Sequence, residues 1–286
     1  MAITVIRRRD ADYPPLLAEL HDPPDRLHLR GHEIELLKRP AVAVVGARSC
    51  SPYGREVARA LARELAAAGL VVVSGLARGI DGEAHRGALD ARGSTVAVLG
   101  CGIDRDYPRA HAELARRIAA TGAIVSEYPP GVEPAPWRFP ARNRIIAGLA
   151  LATVIVEARE RSGALITADF ALELGREVFA VPGEITSTLS SGTNGLIRQG
   201  AAPLLSSDDV FGVLGVEVSR PQQPSVSPAA GTVLELVVET PRSADELVRV
   251  SGLPSPEISS ALVELELAGL IGSSDGVYRA RLDSGA

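Results

Sequence analysis

The sequence predicts an α/β protein: a parallel sheet with helices on both faces, followed by a small winged-helix-like domain. Three observations carry this. Six times an apolar run stops at a small or polar residue and the chain turns: VAVVGAR (42–48), VVVSGLARG (71–79), VAVLGCG (96–102), AIVSEYP (123–129), VIVEARE (154–160) and VFAVPGE (178–184). Runs of Val, Ile, Leu and Ala without alternation belong to strands buried on both faces, the mark of a parallel sheet. Stretches of helical period lie between the runs, and right-handed crossovers put such helices on both faces. The texture then changes at SRPQQPSVSPAAG (219–231), rich in Pro, Ser and Gln. The C-terminal ends of parallel strands share one edge, next to helix N-termini, and an open sheet binds its ligand there.

In chain order, residues 1–39 read as an N-terminal extension in which the Pro-rich DPPDRLHLRG (22–31) packs irregularly on the main domain. Residues 40–214 form that domain. REVARALARELAAAG (55–69) follows the first run, with Val57, Leu61, Leu65 and Ala68 on one face and Gly69 as its stop. RAHAELARRIAATG (109–122) follows the third, with Ala110, Leu114 and Ile118 inward, and helices also fit 141–150, 163–175 and 193–200. Residues 215–231 read as a linker, and 232–282 as a separate unit. In that unit TVLELVVE (232–239) is an apolar helix, and Ser243 with Glu246 forms a capping box for a helix over 244–250. Ser255-Pro256 opens a third helix with Ile258, Leu262 and Leu265 inward, and LIGSSDGVY (270–278) gives two strands around Asp275-Gly276. Three helices and a hairpin make the winged-helix pattern.

Composition narrows the function classes. The chain has 286 residues, 46% of them hydrophobic, enough for one large domain and a small one. No apolar run approaches the ~18 residues of a membrane span. The opening MAITVIRRRD has no secretory pattern, so a cytoplasmic location is expected. Cys50 and Cys101 each follow a predicted strand; a disulfide is one option, and a reduced pair is the one that fits a cytoplasmic chain. No Cys/His cluster has metal spacing, and no metal is expected. The net charge of −5 is unevenly held: residues 1–39 carry seven basic and seven acidic side chains, 40–210 eighteen of each, and 211–286 five basic and ten acidic. All basic residues but Lys38 are arginines, so phosphate recognition must use guanidinium groups. A balanced central domain is not the broad basic surface of a non-specific duplex binder, but it can hold a local arginine cluster.

Candidate site residues follow the strands. Gly46-Ala47-Arg48-Ser49 lies between the first strand and the first long helix, where Gly admits a close ligand, the helix end offers N–H groups and Arg48 adds charge. The fitting ligand is a phosphate; a plain turn with a solvated Arg48 is the bland alternative. The spacing is not GxGxxG, so a dinucleotide cofactor is not expected. In SGLARGIDGEAHRGAL (74–89), Gly75, Gly79 and Gly82 share a turn, Asp81 can cap the next helix, Arg78 sits on the same edge as Arg48, and His85 reads as a structural or surface histidine. WRFPARNRIIAGLA (137–150) puts Phe139 before Pro140, then Arg142, Asn143 and Arg144 in the first turn of a helix. Arginines at a helix N-terminus oppose the dipole unless an anion is present. An aromatic beside an arginine pair suits single-stranded nucleic acid, the ring stacking on a base and the arginines holding phosphates; a buried Phe with surface arginines is the bland alternative. ERSGALITADFALELG (160–175) opens another helix with Ser162, Gly163 and Thr167, whose backbone amides can face phosphate or simply form a capped turn.

GAR (46–48), SGLARGIDGEAH (74–85), FPARNRIIAGL (139–149), SGALITA (162–168), VPG (181–183) and SGTNGLI (191–197) together resemble the DNA-processing protein A family, DprA/Smf. YPPLLAELHDPP (13–24) is similar to its N-terminal flank, so the resemblance covers about residues 10–212 in order. It implies an extended Rossmann-like fold, binding of single-stranded DNA, and loading of RecA recombinase onto that DNA in natural transformation. It also implies that Gly46, Arg48, Phe139, Arg142, Asn143, Arg144, Ser162 and Gly163 line the DNA groove, and that a homodimer forms somewhere in 193–214. Family members often carry Lys near the groove, where this chain has Arg.

The rival class is enzymatic. The same broad fold resembles the nucleoside-monophosphate phosphoribohydrolases, with a PGGxGTxxE loop and a catalytic Glu. RSGALITAD (161–169) lacks the second Gly and the Thr-x-x-Glu spacing. Glu127 and Glu157 end strands and could act on a nucleotide or orient arginines by salt bridges. The expectation is a binding protein rather than an enzyme. The third helix of the C-terminal unit, PEISSALVELELAG (256–269), carries Glu257, Glu264 and Glu266 and no basic residue. A winged helix would put that helix in the major groove, but acidic side chains are repelled by phosphate, so the module is expected to bind protein, either the other protomer or RecA, or to restrain the groove.

Overall fold

Uninterrupted β-branched and apolar runs become strands, and in the computed structural model, which describes residues 3–31, 34–218, 226–274 and 276–280, all six runs do so. The expected linker residues 219–225 and the end of the chain from 281 lie outside the described residues. The chain divides into two compact units, Met1–Val218 and Ser219–Ala286.

The first unit runs β1 (Ile3–Arg7), α1 (Pro15–Ala18), β2 (Arg26–Gly31), β3 (Ala41–Val45), α2 (Pro52–Ala67), β4 (Val71–Ser74), α3 (Ile80–Asp90), β5 (Thr95–Leu99), α4 (Ala112–Thr121) and β6 (Ala123–Ser126). It continues α5 (Arg138–Gly148), β7 (Ala152–Ile155), α6 (Gly163–Glu173), β8 (Glu177–Ala180), α7 (Ser191–Arg198), β9 (Ala202–Pro203) and α8 (Ser207–Leu214). The sheet order is β1-β2-β6-β5-β4-β3-β7-β8-β9, parallel from β6 to β9. Strand β3 lies between β4, where Ala41 faces Val71, and β7, where Val42 faces Ala152. The chain winds outward from β3 in both directions, so the crevice between the turns after β3 and β7 is the topological switch point.

Alternate residues of β3 serve opposite cores. Val42 and Val44 pack with Val57, Leu61 and Leu65 of α2 and Ile80 and Ala84 of α3. Ala41, Ala43 and Val45 pack with Ile145 and Ile146 of α5 and Ala164 and Ala168 of α6. Helices thus cover both faces, as an all-apolar parallel strand requires.

The N-terminal extension differs from its expected irregular packing. Strand β2 pairs antiparallel with β6, Leu29 opposite Val125, and β1 adds to β2. Leu27 and Leu29 are buried while Arg26 is exposed, so the strand is built of mixed residues that carry no unbroken apolar run. Three helices of the first unit also begin earlier than expected, α7 by two residues, at Ser191. Helix α2 starts at Pro52, with Ser51 accepting a hydrogen bond from the Gly54 amide. Helix α5 starts at Arg138, because Pro140 falls in its first turn, where no intrahelical donor is needed. Arg142 and Arg144 therefore lie beyond the first turn, and the dipole argument does not apply to them.

The second unit has α9 (Pro228–Glu239), β10 (Arg242–Ser243), α10 (Ala244–Ser251), α11 (Ser255–Leu267), β11 (Ile271–Ser274) and β12 (Val277–Ala280). The Ser243/Glu246 capping box is present. Val233, Val237, Leu247, Ile258, Leu262 and Leu265 form its own core. Helix α9 opens four residues before the expected Thr232, with Ser227 as cap and Glu264 of α11 accepting from the Ser227 amide at 2.7 Å and hydroxyl at 2.6 Å. Strand β10 adds a third strand to the hairpin; Asp275 lies outside the described residues.

Candidate nucleic-acid interface

The turn after β3 is built by close packing. A Cβ on Gly46 would lie 2.7 Å from Ile80 and 2.9 Å from the Glu157 carbonyl, so this glycine is required by the fold itself rather than by a ligand. Gly79, at φ +74°, starts α3 against the same turn, where a Cβ would meet the Ala47 carbonyl at 2.2 Å. Helix α2 is not a free anion site. The buried Glu157 carboxylate accepts from the Ser51 amide at 2.9 Å and the Ser51 hydroxyl at 2.5 Å, and so already occupies the positive end of the helix. Ser49 and Arg48 stand exposed before it.

The arginines divide into two groups. Arg142 is 4% exposed; its Nη1 donates to the Gly75 carbonyl at 2.7 Å and to the Val98 carbonyl. It ties the ends of β4 and β5 to α5, and a Cβ on Gly75 would collide with its guanidinium at 2.5 Å. Burial lowers its pKa to about 10, with Asp81 opposing, so it stays charged at neutral pH. Asp81 is also buried; it accepts from the Gly75 amide at 3.1 Å and the Ala77 amide at 3.4 Å, holding the turn before α3 rather than capping the helix, whose N-cap is Gly79. Burial raises the Asp81 pKa, while Arg142 pulls it down. Arg144 makes a bidentate pair with Glu127 at 2.9 and 2.7 Å and donates to the Asp22 carbonyl at 3.0 Å. Glu127 thus holds an arginine by a salt bridge, one of the two roles open to it from sequence.

Arg48 and Arg78 form the other group. Both are exposed, with no hydrogen-bonded or ionic partner among the described residues. The Arg48 guanidinium sits 5.1 Å from the Phe139 ring centroid, within cation–π range. Phe139 also stacks on Tyr107, centroids 5.3 Å apart and planes 25° apart.

Helix α6 opens beside this pair. Ser162 caps it, accepting from the Ala164 amide at 3.3 Å, and Asn143 donates to the Gly163 carbonyl at 2.9 Å, fixing α5 against the start of α6. A Cβ on Gly163 would meet nothing within 4 Å, so the space before this helix end is open. One cleft at the switch point is lined by Gly46, Arg48, Phe139, Arg142, Asn143, Ser162, Gly163 and Thr167, together with Asp81. Ser49, Arg78, Gly79 and Arg144 are not part of its lining. His85 is fully buried, bonded through Nδ1 to Thr95 at 2.7 Å, and burial lowers its pKa to about 3, so it is a neutral core residue.

Sequence reasoning missed Tyr107, whose contact with Phe139 joins a loop to the start of α5, and Arg159 and Arg161, exposed beside the start of α6 with no side-chain partner among the described residues. The second pair had a local signal: basic residues immediately before a capped helix N-terminus. Cys50 and Cys101 are unpaired. Among the described residues no group of three His, Cys, Asp or Glu is placed to hold a metal ion, and no helix is long and apolar enough to cross a membrane.

Residues 4–215 match the family model of DNA recombination-mediator protein A, and residues 217–276 match the DprA winged helix domain. Protein Smf of Escherichia coli K12 is 41% identical over 278 residues, covering 93% of this chain and 74% of its own. The crystal structure of DNA processing protein A from Streptococcus pneumoniae is 43% identical with a TM-score of 0.71, covering 77% of this chain and 76% of that one. DNA processing protein A from Helicobacter pylori, described for its single-stranded DNA binding mode, is 31% identical with a TM-score of 0.68, covering 75% of this chain and 96% of that one.

Proposed function

The chain belongs to the DNA recombination-mediator protein A family, and from that premise we propose that it binds single-stranded DNA along the strand-end edge of its first unit and delivers it to RecA recombinase in natural transformation. The observation that carries this reading is the placement of the exposed, unpaired Arg48 beside the Phe139 ring and the open N-terminus of α6 in one cleft at the switch point. A guanidinium neutralises phosphate, a ring stacks on an unpaired base, and a free amide N–H at a helix start donates to a second phosphate. Arg78, Arg159 and Arg161 carry the positive charge along the same edge in both directions. Charge spread over a row of loops fits an extended polyanion better than a compact cofactor.

Of the expected groove residues, we assign direct contact with DNA to Arg48, Phe139, Ser162 and Gly163, which share the cleft. Arg142, Asn143 and Thr167 shape the cleft from buried positions, and Gly46 and Gly79 let the turns approach each other. Arg144 supports the edge through Glu127. Partnership with RecA and a homodimer through 193–214 belong to the proposal through the family; exposed Leu205 (71%) and Val213 (52%) in that segment suit such a contact. The test is a competition between single- and double-stranded oligonucleotides of equal length at two salt concentrations. Preferential retention of the single strand, weakening as salt rises, is expected. Equal binding of both forms, or none, overturns the reading.

A further inference from the structure

Trp137 is the single tryptophan of the chain, and it stands 63% exposed at the start of α5. An exposed indole offers a large flat apolar face that another ring can cover. Its neighbour Arg138 lies with its guanidinium 4.7 Å from the Trp137 ring centroid and 5.1 Å from that of Tyr128. Arg138 also donates to the Glu133 carbonyl, and its buried Nε has no partner among the described residues. The next residue, Phe139, takes part in the Arg48–Phe139–Tyr107 stack. Two aromatic–arginine stacks therefore adjoin through three consecutive residues, and only the second lines the cleft.

We propose that Trp137 and Arg138 form a second stacking subsite, outside the cleft, for a base and a phosphate of the same single-stranded DNA. The inference rests on the function proposed above. Arg138 holds the indole in place from one side and supplies the cation, leaving the exposed ring surface for a base. Two nearby arginines are already matched: Arg105 pairs with Glu133 at 2.7 Å and Arg30 with Asp106 at 2.7 Å. Arg138 has no carboxylate partner among the described residues, so its charge is available to a phosphate at this end of the edge. Bases paired in a duplex present no face to the indole, so the subsite favours single strands.

Because Trp137 is the only tryptophan, its fluorescence reports directly on the subsite. The experiment titrates the full chain with oligothymidylates of roughly 4 and roughly 16 nucleotides, the span of known single-strand footprints, reading binding by the anisotropy of an end-labelled oligonucleotide and occupancy by indole quenching. Saturation by the long oligonucleotide is expected to quench the indole. Trp137→Ala is expected to weaken binding of the long oligonucleotide about tenfold, in keeping with loss of one stacked base, and to weaken the short one less. Trp137→Phe restores most of the loss, and a thermal melt shows the fold unchanged, since the side chain is exposed. Binding of the long oligonucleotide with no quenching and no loss in Trp137→Ala removes the subsite while leaving the proposed function intact. Absence of any oligonucleotide binding by the unaltered chain removes both.

Discussion

Two helices of this molecule hold positions from which nucleic acid can be met, and they differ in what they carry. The start of α5, on the strand-end edge of the first unit, bears Trp137, Arg138 and Phe139, with the exposed Arg48 against the Phe139 ring. Helix α11, the third helix of the winged-helix unit, shows solvent Glu257, Glu266, Val263 and Leu267, the last two 55% and 85% exposed. The fold that suggests a DNA reader is on the second unit, and the chemistry that suits DNA is on the first. Architecture supplies a place, and charge and aromatic surface decide its use.

The comparison is broken most severely at an arginine that the edge needs but does not expose. Arg142→Ala removes the donor from the Gly75 and Val98 carbonyls and leaves Asp81 buried without its opposing charge. Removing one member of such a buried set costs about 3–5 kcal/mol. Urea unfolding is expected to show the midpoint falling, with single-strand binding lost as a consequence. If stability holds and only DNA affinity drops, Arg142 reaches the ligand directly.

Phe139→Ala tests the aromatic half of the edge. Its loss is expected to weaken single-strand binding by ~1–3 kcal/mol, the range for one stacked base. The Tyr107 and Arg48 contacts vanish with it, so part of the loss is reorganisation. Unchanged affinity in filter binding would mean that the ring is a strut for Arg48 and nothing more.

How far the edge was legible in the sequence follows from where each residue's partners come from. The strands and the cleft-lining turns of Gly46, Phe139 and Ser162 were readable because both-face burial and helix starts are local signals. The sorting of the arginines was not. Arg142 and Arg144 look alike in RNR, but one is held by the carbonyls of Gly75 and Val98 and the other by Glu127 and Asp22, from four distant loops and strand ends. Strand β2 was hidden for a different reason: it carries His28 and two arginines within six residues and needs β6 beside it to exist as a strand. Most of the winged-helix core was legible, since its helical period and the Ser243/Glu246 capping box are local; β10 was not, because its two residues are a strand only beside β12.

Arg48→Ala and Arg78→Ala are expected to act more gently than Phe139→Ala. Both side chains are exposed, so each contributes on the order of 1 kcal/mol at moderate salt and lowers the slope of log affinity against log salt by about 1. The fold should not respond to either change. A slope unchanged in both variants would place the phosphates elsewhere on the edge.

The smallest expected effect belongs to the second unit. Residues 211–286 carry five basic and ten acidic side chains, and α11 contributes three carboxylates and no cation. A helix of that charge gains nothing from the counterion release that drives DNA binding and is repelled by the phosphates it would face. Its exposed Val263 and Leu267 are instead the kind of surface a protein partner covers. Each unit has its own apolar core, so deleting 219–286 leaves the cores of the first unit whole. Single-strand affinity of the shortened chain is expected to stay within about twofold of the full chain, with an equal salt slope, because no phosphate-neutralising group is lost from the edge. A tenfold loss with a shallower slope would show that the acidic unit reaches DNA after all, through Arg242, Arg249 or Arg279, and would erase the division of labour between the two helices.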